Sequence, residues 1–207
     1  MRDLSNYSIS PAAYLDRAKK RLLKDNAESL FYAAFELRCF VEARQDEYLD
    51  AQREYTKSVP KAYKIGDQGR TLERIFASNQ IQYISWEARG QLILEAHHTP
   101  VTPRLRKGAE WLGNLLHGQM RCHSPEDKWW ETTRNRVLEI YRAAWVCAQG
   151  TLPSPLMVRD GKTVGRFAVL GSEEELKRLL EQIKAGDSGV LGVRYLEQPP
   201  ASWVCDL

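Results

Sequence analysis

The chain has 207 residues, 43% of them hydrophobic and 28% charged, with a formal net charge of +3. That length and usage suit one large domain, or a domain with a small appendage, and argue against disorder. So small a net charge neither requires nor excludes nucleic acid, and any basic surface has to be local.

The N-terminal stretch Met1 to Ser10 is polar and has no apolar leader core. No segment approaches the roughly 18 continuous apolar residues of a membrane span, so the expected location is cytoplasmic, with no membrane contact. Ser10-Pro11 reads as an N-cap followed by proline at the first helical position. Leu15, Ala18 and Leu22 mark one face of that helix, and Arg17, Lys20, Arg21 and Lys24 line another. Asn26 caps the next helix, expected from about Ala27 to Tyr55 and about 44 Å long. Its first half is apolar almost all round and predicts the central core helix. Its second half, Ala43 to Tyr55, is charged and is expected to project toward solvent or a partner.

Pro60 ends that region, 61–69 reads as a loop, and a shorter helix is expected over 70–77. The runs Ile81 to Trp86 and Gln91 to Leu94, around Arg89-Gly90, predict a β-hairpin. Thr102-Pro103 opens a helix through about Leu116. Ser124-Pro125-Glu126-Asp127 repeats that device, with acids in the first turn, before a helix carrying Trp129, Trp130, Val137, Ile140, Tyr141 and Trp145. Residues 151–155 read as a boundary. Beyond it, strand-like runs at 156–159 and 163–170 flank the turn Asp160-Gly161. Ser172 to Glu175 reads as a capping box, and Leu176, Leu179, Leu180 and Ile183 give the following helix an apolar face. Val190 to Leu196 is a third strand. The expected architecture is mainly α, a helical domain over 1–150 with a hairpin at 81–95, plus a small ββαβ unit over 151–207.

Three features bear on chemistry. Phe31, Ala34, Arg38 and Val41 share a helical face, so Arg38 points at least partly toward the core, with Glu42 at i+4 as its partner. A buried guanidinium is costly unless paired. It reads as a structural ion pair or as an arginine binding phosphate bidentately. Second, Asn114 and His117 lie one turn apart at the end of an apolar helix, where the helix dipole favours a protonated imidazole. A histidine so placed is a cap, a core histidine or a general acid–base in RNA cleavage. Third, Arg17, Lys20, Arg21 and Lys24, with Arg104, Arg106 and Lys107, are either solvated faces or phosphate contacts.

The runs Leu30-Phe31-Tyr32-Ala33-Ala34-Phe35-Glu36-Leu37-Arg38, Thr99-Pro100-Val101-Thr102-Pro103 and Leu112-Gly113-Asn114-Leu115-Leu116-His117 resemble bacterial proteins with a HEPN-like helical domain. The resemblance spans roughly Pro11 to Gly150. It implies an antiparallel helical bundle that is commonly dimeric and acts on or binds RNA in phage-defence or toxin–antitoxin systems. Many such domains are ribonucleases that need no metal or other cofactor. Their signature is an arginine, often followed by asparagine, with a histidine about one and a half turns on. Here Gly113 stands before Asn114, and Arg134-Asn135 lacks the following histidine. Arg38 is the candidate for the missing cation, so the implied catalytic set is His117, Asn114 and Arg38, and the implied nucleic-acid contacts are Arg17, Lys20, Arg21, Lys24, Arg104 and Arg106. The competing reading is a non-enzymatic interaction or oligomerisation module, with Arg44 to Tyr55 docking a protein partner, an antitoxin or a second copy.

Two smaller features remain. Of the adjacent Trp129 and Trp130, one is expected in the core and the other under the C-terminal unit, unless one lines a groove and stacks on a base. His97-His98 is expected near His117. With Cys122-His123 it invites a metal reading, but the spacing matches no ligand set, and the cysteines contain no C-x-x-C pair.

Overall fold

A computed structural model describes residues 7–24, 26–51, 80–117, 122–152, 154–159, 162–164, 173–184 and 189–207. The expected helix over 70–77 and the turn Asp160-Gly161 lie outside the described residues. Four helices form the body: α1 (Pro11–Leu22), α2 (Ala27–Ala51), α3 (Pro103–Leu116) and α4 (Lys128–Ala148). Their starts follow from local chemistry. Ser10 Oγ accepts from Ala13 N, Asn26 Oδ1 from Ser29 N and Thr102 Oγ1 from Leu105 N, each satisfying an otherwise orphaned amide. The start of α4 differs from expectation. Ser124 to Asp127 forms a turn closed by Asp127 N to Ser124 O, and Asp127 itself is the cap, its carboxylate accepting from Trp129 N. Proline at 125 therefore shapes the turn instead of opening the helix.

Residue pairs along the helices fix their directions. Arg17 of α1 pairs with Glu36 of α2, and Arg38 of α2 lies against Gly113 of α3, whereas Tyr48 near the end of α2 reaches Thr99, just before α3. Phe31 meets Trp129, and Tyr48 meets Cys147. Neighbouring helices thus alternate up and down, with α4 parallel to α2. The core of this bundle is built from Leu22, Leu37, Phe40, Val41, Leu105, Leu112, Val137 and Tyr141, all essentially without solvent contact. Burying side chains of this size is worth about 1.5–3 kcal/mol each.

β1 (Ile81–Ala88) and β2 (Gln91–His98) form the expected hairpin, longer than the apolar runs alone suggest. Arg89 and Gly90 both have positive φ, 52° and 76°, as a two-residue turn of this twist requires. Among the described residues no helix is long and apolar enough to cross a membrane.

The C-terminal part departs from the expected ββαβ unit. β3 (Met157–Arg159) and β4 (Lys162–Val164) pair only with each other. α5 (Glu173–Lys184) follows, with Leu180 exposed. β5 (Gly189–Leu196) instead runs antiparallel to β1 from Ile81–Leu196 to Ala88–Gly189, making a sheet in the order β2-β1-β5. The sheet's inner face holds Ile84 and Ala96 against Leu152 and Leu156. Buried Gln82 fastens the crossing segment at both ends of its amide, accepting from Leu156 N at 2.6 Å and donating to Leu156 O at 2.9 Å. The tail then returns to the bundle. Lys19 pairs with Asp206, Arg142 Nε donates to Leu207 O at 2.8 Å, and Cys205 and Leu207 pack on the core.

Candidate functional site

Arg38 lies on the α3-facing side of α2, and Gly113 gives it room. A Cβ at position 113 would stand 2.8 Å from Arg38 Nη1, so the guanidinium rests directly on the α3 backbone one residue before Asn114. Its Nε donates to Glu42 Oε1 at 3.1 Å, the i+4 pair expected from spacing. With 34% of its side chain exposed, Arg38 belongs to the surface edge and not to the core. Asn114 and His117 are both exposed. His117 is the C-cap of α3, its backbone turned to ψ 156° while its N–H still donates to Gly113 O at 3.3 Å. Positions 106, 113 and 117 fall on one edge of a helix, so Arg106 and His117 share the edge that Arg38 meets at Gly113. Arg38 thus meets α3 at Gly113, the residue before Asn114 and one turn before His117. Arg134, the other arginine of the split signature, sits elsewhere on α4, where its Nη2 donates to Leu22 O at 3.2 Å and ties α4 to the end of α1.

The expected basic stripe on α1 divides. Arg17 is committed to structure: Nε bonds Glu36 Oε2 at 2.9 Å, Nη1 bonds Ser8 O at 2.8 Å, and the guanidinium lies over the rings of Tyr7 and Tyr14. Glu36 is buried, so this pair joins α1 to α2, and phosphate would have to displace a desolvated carboxylate to use Arg17. Lys20 pairs with Asp16, Arg21 covers Tyr32, and Lys24 is exposed beyond the helix end. On α3, Arg104 reaches Glu139 at 3.6 Å, both well exposed. With Lys107 and Arg136 it lines a hollow of about 390 Å³ between α3 and α4. Arg136 lies over Trp111, centroid distance 4.2 Å.

Sequence reasoning missed a polar junction at the other end of the bundle. The guanidinium that is buried belongs to Arg44, 5% exposed, and not to Arg38. The second half of α2 therefore does not project freely: Arg44, Gln45, Tyr48 and Leu49 all pack inward. Arg44 Nη1 bonds Glu47 at 2.8 Å, and its guanidinium lies 4.8 Å from the Tyr48 ring centroid. Among the described residues its Nε and Nη2, and both amide atoms of Gln45, have no hydrogen-bond partner. Tyr48 Oη donates to Thr99 O, Thr99 Oγ1 donates to Cys147 O at 2.5 Å, and the Tyr48 ring packs on His98. Burial first, and the Arg44 charge second, push the His98 imidazole down to about 3. Burial also raises the Tyr48 hydroxyl and the Cys147 thiol. One signal was present in the sequence: the stripe Leu37, Val41, Arg44, Tyr48 keeps the helical period, with the arginine in an apolar place.

Gly150 closes this junction. A Cβ there would stand 2.9 Å from Thr99 N and 3.0 Å from Arg44 Nη2. Because one of these neighbours is backbone, it cannot simply rotate away. Gly150→Ala is expected to cost about 1–3 kcal/mol by overpacking, measured by urea denaturation. An unchanged midpoint would refute the close approach.

His97 and His98 lie at this junction and His117 at the opposite end of α3, which spans about 20 Å; the expected proximity of these histidines does not occur. No group of His, Cys, Asp and Glu among the described residues could hold a metal ion. Trp129 and Trp130 are both half-buried and both pack against Phe31 of α2, whereas one was expected in the core and the other under the C-terminal unit. Comparison with protein-family models, with curated proteins and with solved structures finds no match to this chain.

Proposed function

We propose that this chain is an RNA-directed, HEPN-like helical-bundle protein of a bacterial conflict or defence system, with Arg38, Asn114 and His117 as its site. The observation that carries the reading is the guanidinium of Arg38 laid against Gly113, where it supplies from α2 a cation at the position before Asn114. Arginine holds phosphate with two parallel N–H bonds. Exposed His117 serves as general acid–base, and Asn114, one turn away, hydrogen-bonds the bound strand. In the reaction a ribose 2′-hydroxyl attacks the adjacent phosphorus. Its proton passes to a base, the bond from phosphorus to the 5′-oxygen breaks, and that oxygen takes a proton. The products are a 2′,3′-cyclic phosphate and a 5′-hydroxyl, and no metal is required. Arg104, Lys107 and Arg136 at the α3–α4 hollow extend the phosphate-binding surface.

The test is incubation of the protein with a mixed RNA pool in EDTA. Cleavage leaving cyclic phosphate ends is expected. Absence of cleavage over a wide protein concentration range would remove the enzymatic reading. A specific observation favours a second reading, an oligomerisation module: Tyr32 and Phe35 are 47% and 46% exposed on α2, and Phe35 is one turn from Arg38. Sedimentation equilibrium would then give a dimer that Phe35→Glu dissociates.

A further inference from the structure

A hollow of about 540 Å³ opens where the turn before α4 meets the start of α2. This volume is ordinary for a small-molecule site. Leu30, Pro125 and the Trp130 indole give it apolar walls, and His123, Glu131 and Arg134 bring polar groups to it. The fold fixes most of these side chains. Trp130 Nε1 donates to Ser124 O at 2.9 Å, and its ring meets Trp129 edge-on with centroids 4.8 Å apart. The His123 ring stacks flat on Trp129 at 4.1 Å, and its Nδ1 lies 2.8 Å from Asp127 Oδ2. Asp127 also caps α4, so the turn, the helix start and both indoles hold one another in place. Arg134 is half-buried, and its Nη2 donates to Leu22 O at 3.2 Å. A guanidinium carries five N–H donors, so this anchor and a ligand can share it.

The charge of a fitting ligand follows from these positions. Arg134 is anchored and half-buried beside the apolar walls, where its charge is poorly screened. Asn26 and Ala27 border the same space, so the positive end of the 25-residue helix α2 adds to it. Glu131 is the opposing charge, but it is exposed and solvent screens it. The balance favours an anion. We propose that this hollow binds a small aromatic carboxylate, with its ring against Trp130 and Leu30 and its carboxylate on Arg134. The ring gains from burial and from contact with the fixed indole. The carboxylate matches a guanidinium through two parallel N–H bonds. An aryl amine of the same size meets Arg134 with like charge. The inference stands on this hollow and does not rest on the cleavage reading, whose residues lie where α2 meets α3.

The test is calorimetry of the full chain with indole-3-acetate, neutral indole-3-acetamide, cationic tryptamine and acetate, together with NMR of the Trp130 indole N–H. Indole-3-acetate is expected to bind and to move the Trp130 signal. The amide keeps the ring and the size but not the charge. It is expected to bind at least about tenfold more weakly, the loss of a charge-assisted pair, with tryptamine and acetate weaker still. Arg134→Gln is expected to bring the acid down to the affinity of the amide. Arg134 also ties α4 to the end of α1, so the four ligands on the unsubstituted chain decide the question even where that variant folds poorly. Equal affinity for acid and amide, tighter binding of tryptamine, an unmoved Trp130 signal, or no binding would overturn the proposal. His117→Ala is expected to bind indole-3-acetate as the unsubstituted chain does, so loss of cleavage and loss of this site are separately visible.

Discussion

Acidification from pH 7 to pH 4 is expected to cost this protein about 3 kcal/mol of stability through His98 alone. An imidazole in the unfolded chain titrates near 6.5, whereas burial beside Arg44 holds His98 at about 3 in the fold. Between those values the unfolded chain binds a proton that the native state refuses. The contribution is therefore fully present above pH 6.5, declines as pH falls, and stops declining near pH 3. The groups around the ring explain the direction. Arg44 repels a second cation, Tyr48 packs on the ring, and only the carbonyl of Leu152, 3.4 Å from Nδ1, favours the charged form. His97 is also lowered by burial, opposed by Glu95, and adds to the effect in the same sense. Urea midpoints at pH 7, 5.5 and 4 for the unsubstituted chain and for His98→Asn would measure it. The histidine form should lose about 3 kcal/mol more over that interval; parallel losses would show that His98 is not desolvated as the fold requires.

Replacing His117 with alanine is expected to lower RNA cleavage by about 10²–10⁴-fold, the usual contribution of a positioned general acid–base. The backbone of the α3 cap should survive the change. His117 is exposed, lies one residue beyond the last turn of α3, and is held there by a backbone N–H that alanine retains. Arg38→Lys is the more searching companion. Lysine keeps the charge and the stem but loses the planar fork that grips phosphate through two bonds. A large loss in both variants with unchanged urea midpoints would place the reaction at this edge. Full activity in His117→Ala would remove the assignment.

Local features of this fold were readable in the sequence because their causes are local. Ser10-Pro11, Asn26 and Thr102-Pro103 each satisfy an amide within three residues, and Arg89-Gly90 fits the hairpin turn without help from elsewhere. What stayed hidden depends on distant partners. Nothing in Val190 to Leu196 says that β1 is its neighbour, because a half-buried strand presents the same alternation to any edge. Arg38 and Arg44 both interrupt apolar stretches of α2, and only the packing of α3, α4 and Thr99 decides which of them is buried. The resemblance had set Arg38 beside Asn114 and His117, but not the place on α3 where it meets that helix. Gly113 looked like a defect in the signature, and in the fold it is the gap that admits the arginine.

The pairing of β5 with β1 bears on how the molecule is made. Each helix closes its own hydrogen bonds within a few residues, whereas the sheet's third strand has to find Ile81 to Ala88 after most of the chain has emerged. Closing so long a loop gives no reward until the pairing is nearly complete, and high contact order slows folding. Until β5 arrives, β1 presents an open hydrogen-bonding edge, the feature that invites pairing with another chain. Refolding should therefore show an early helical signal and a later sheet signal. During synthesis, the period between them is when this protein most needs a chaperone.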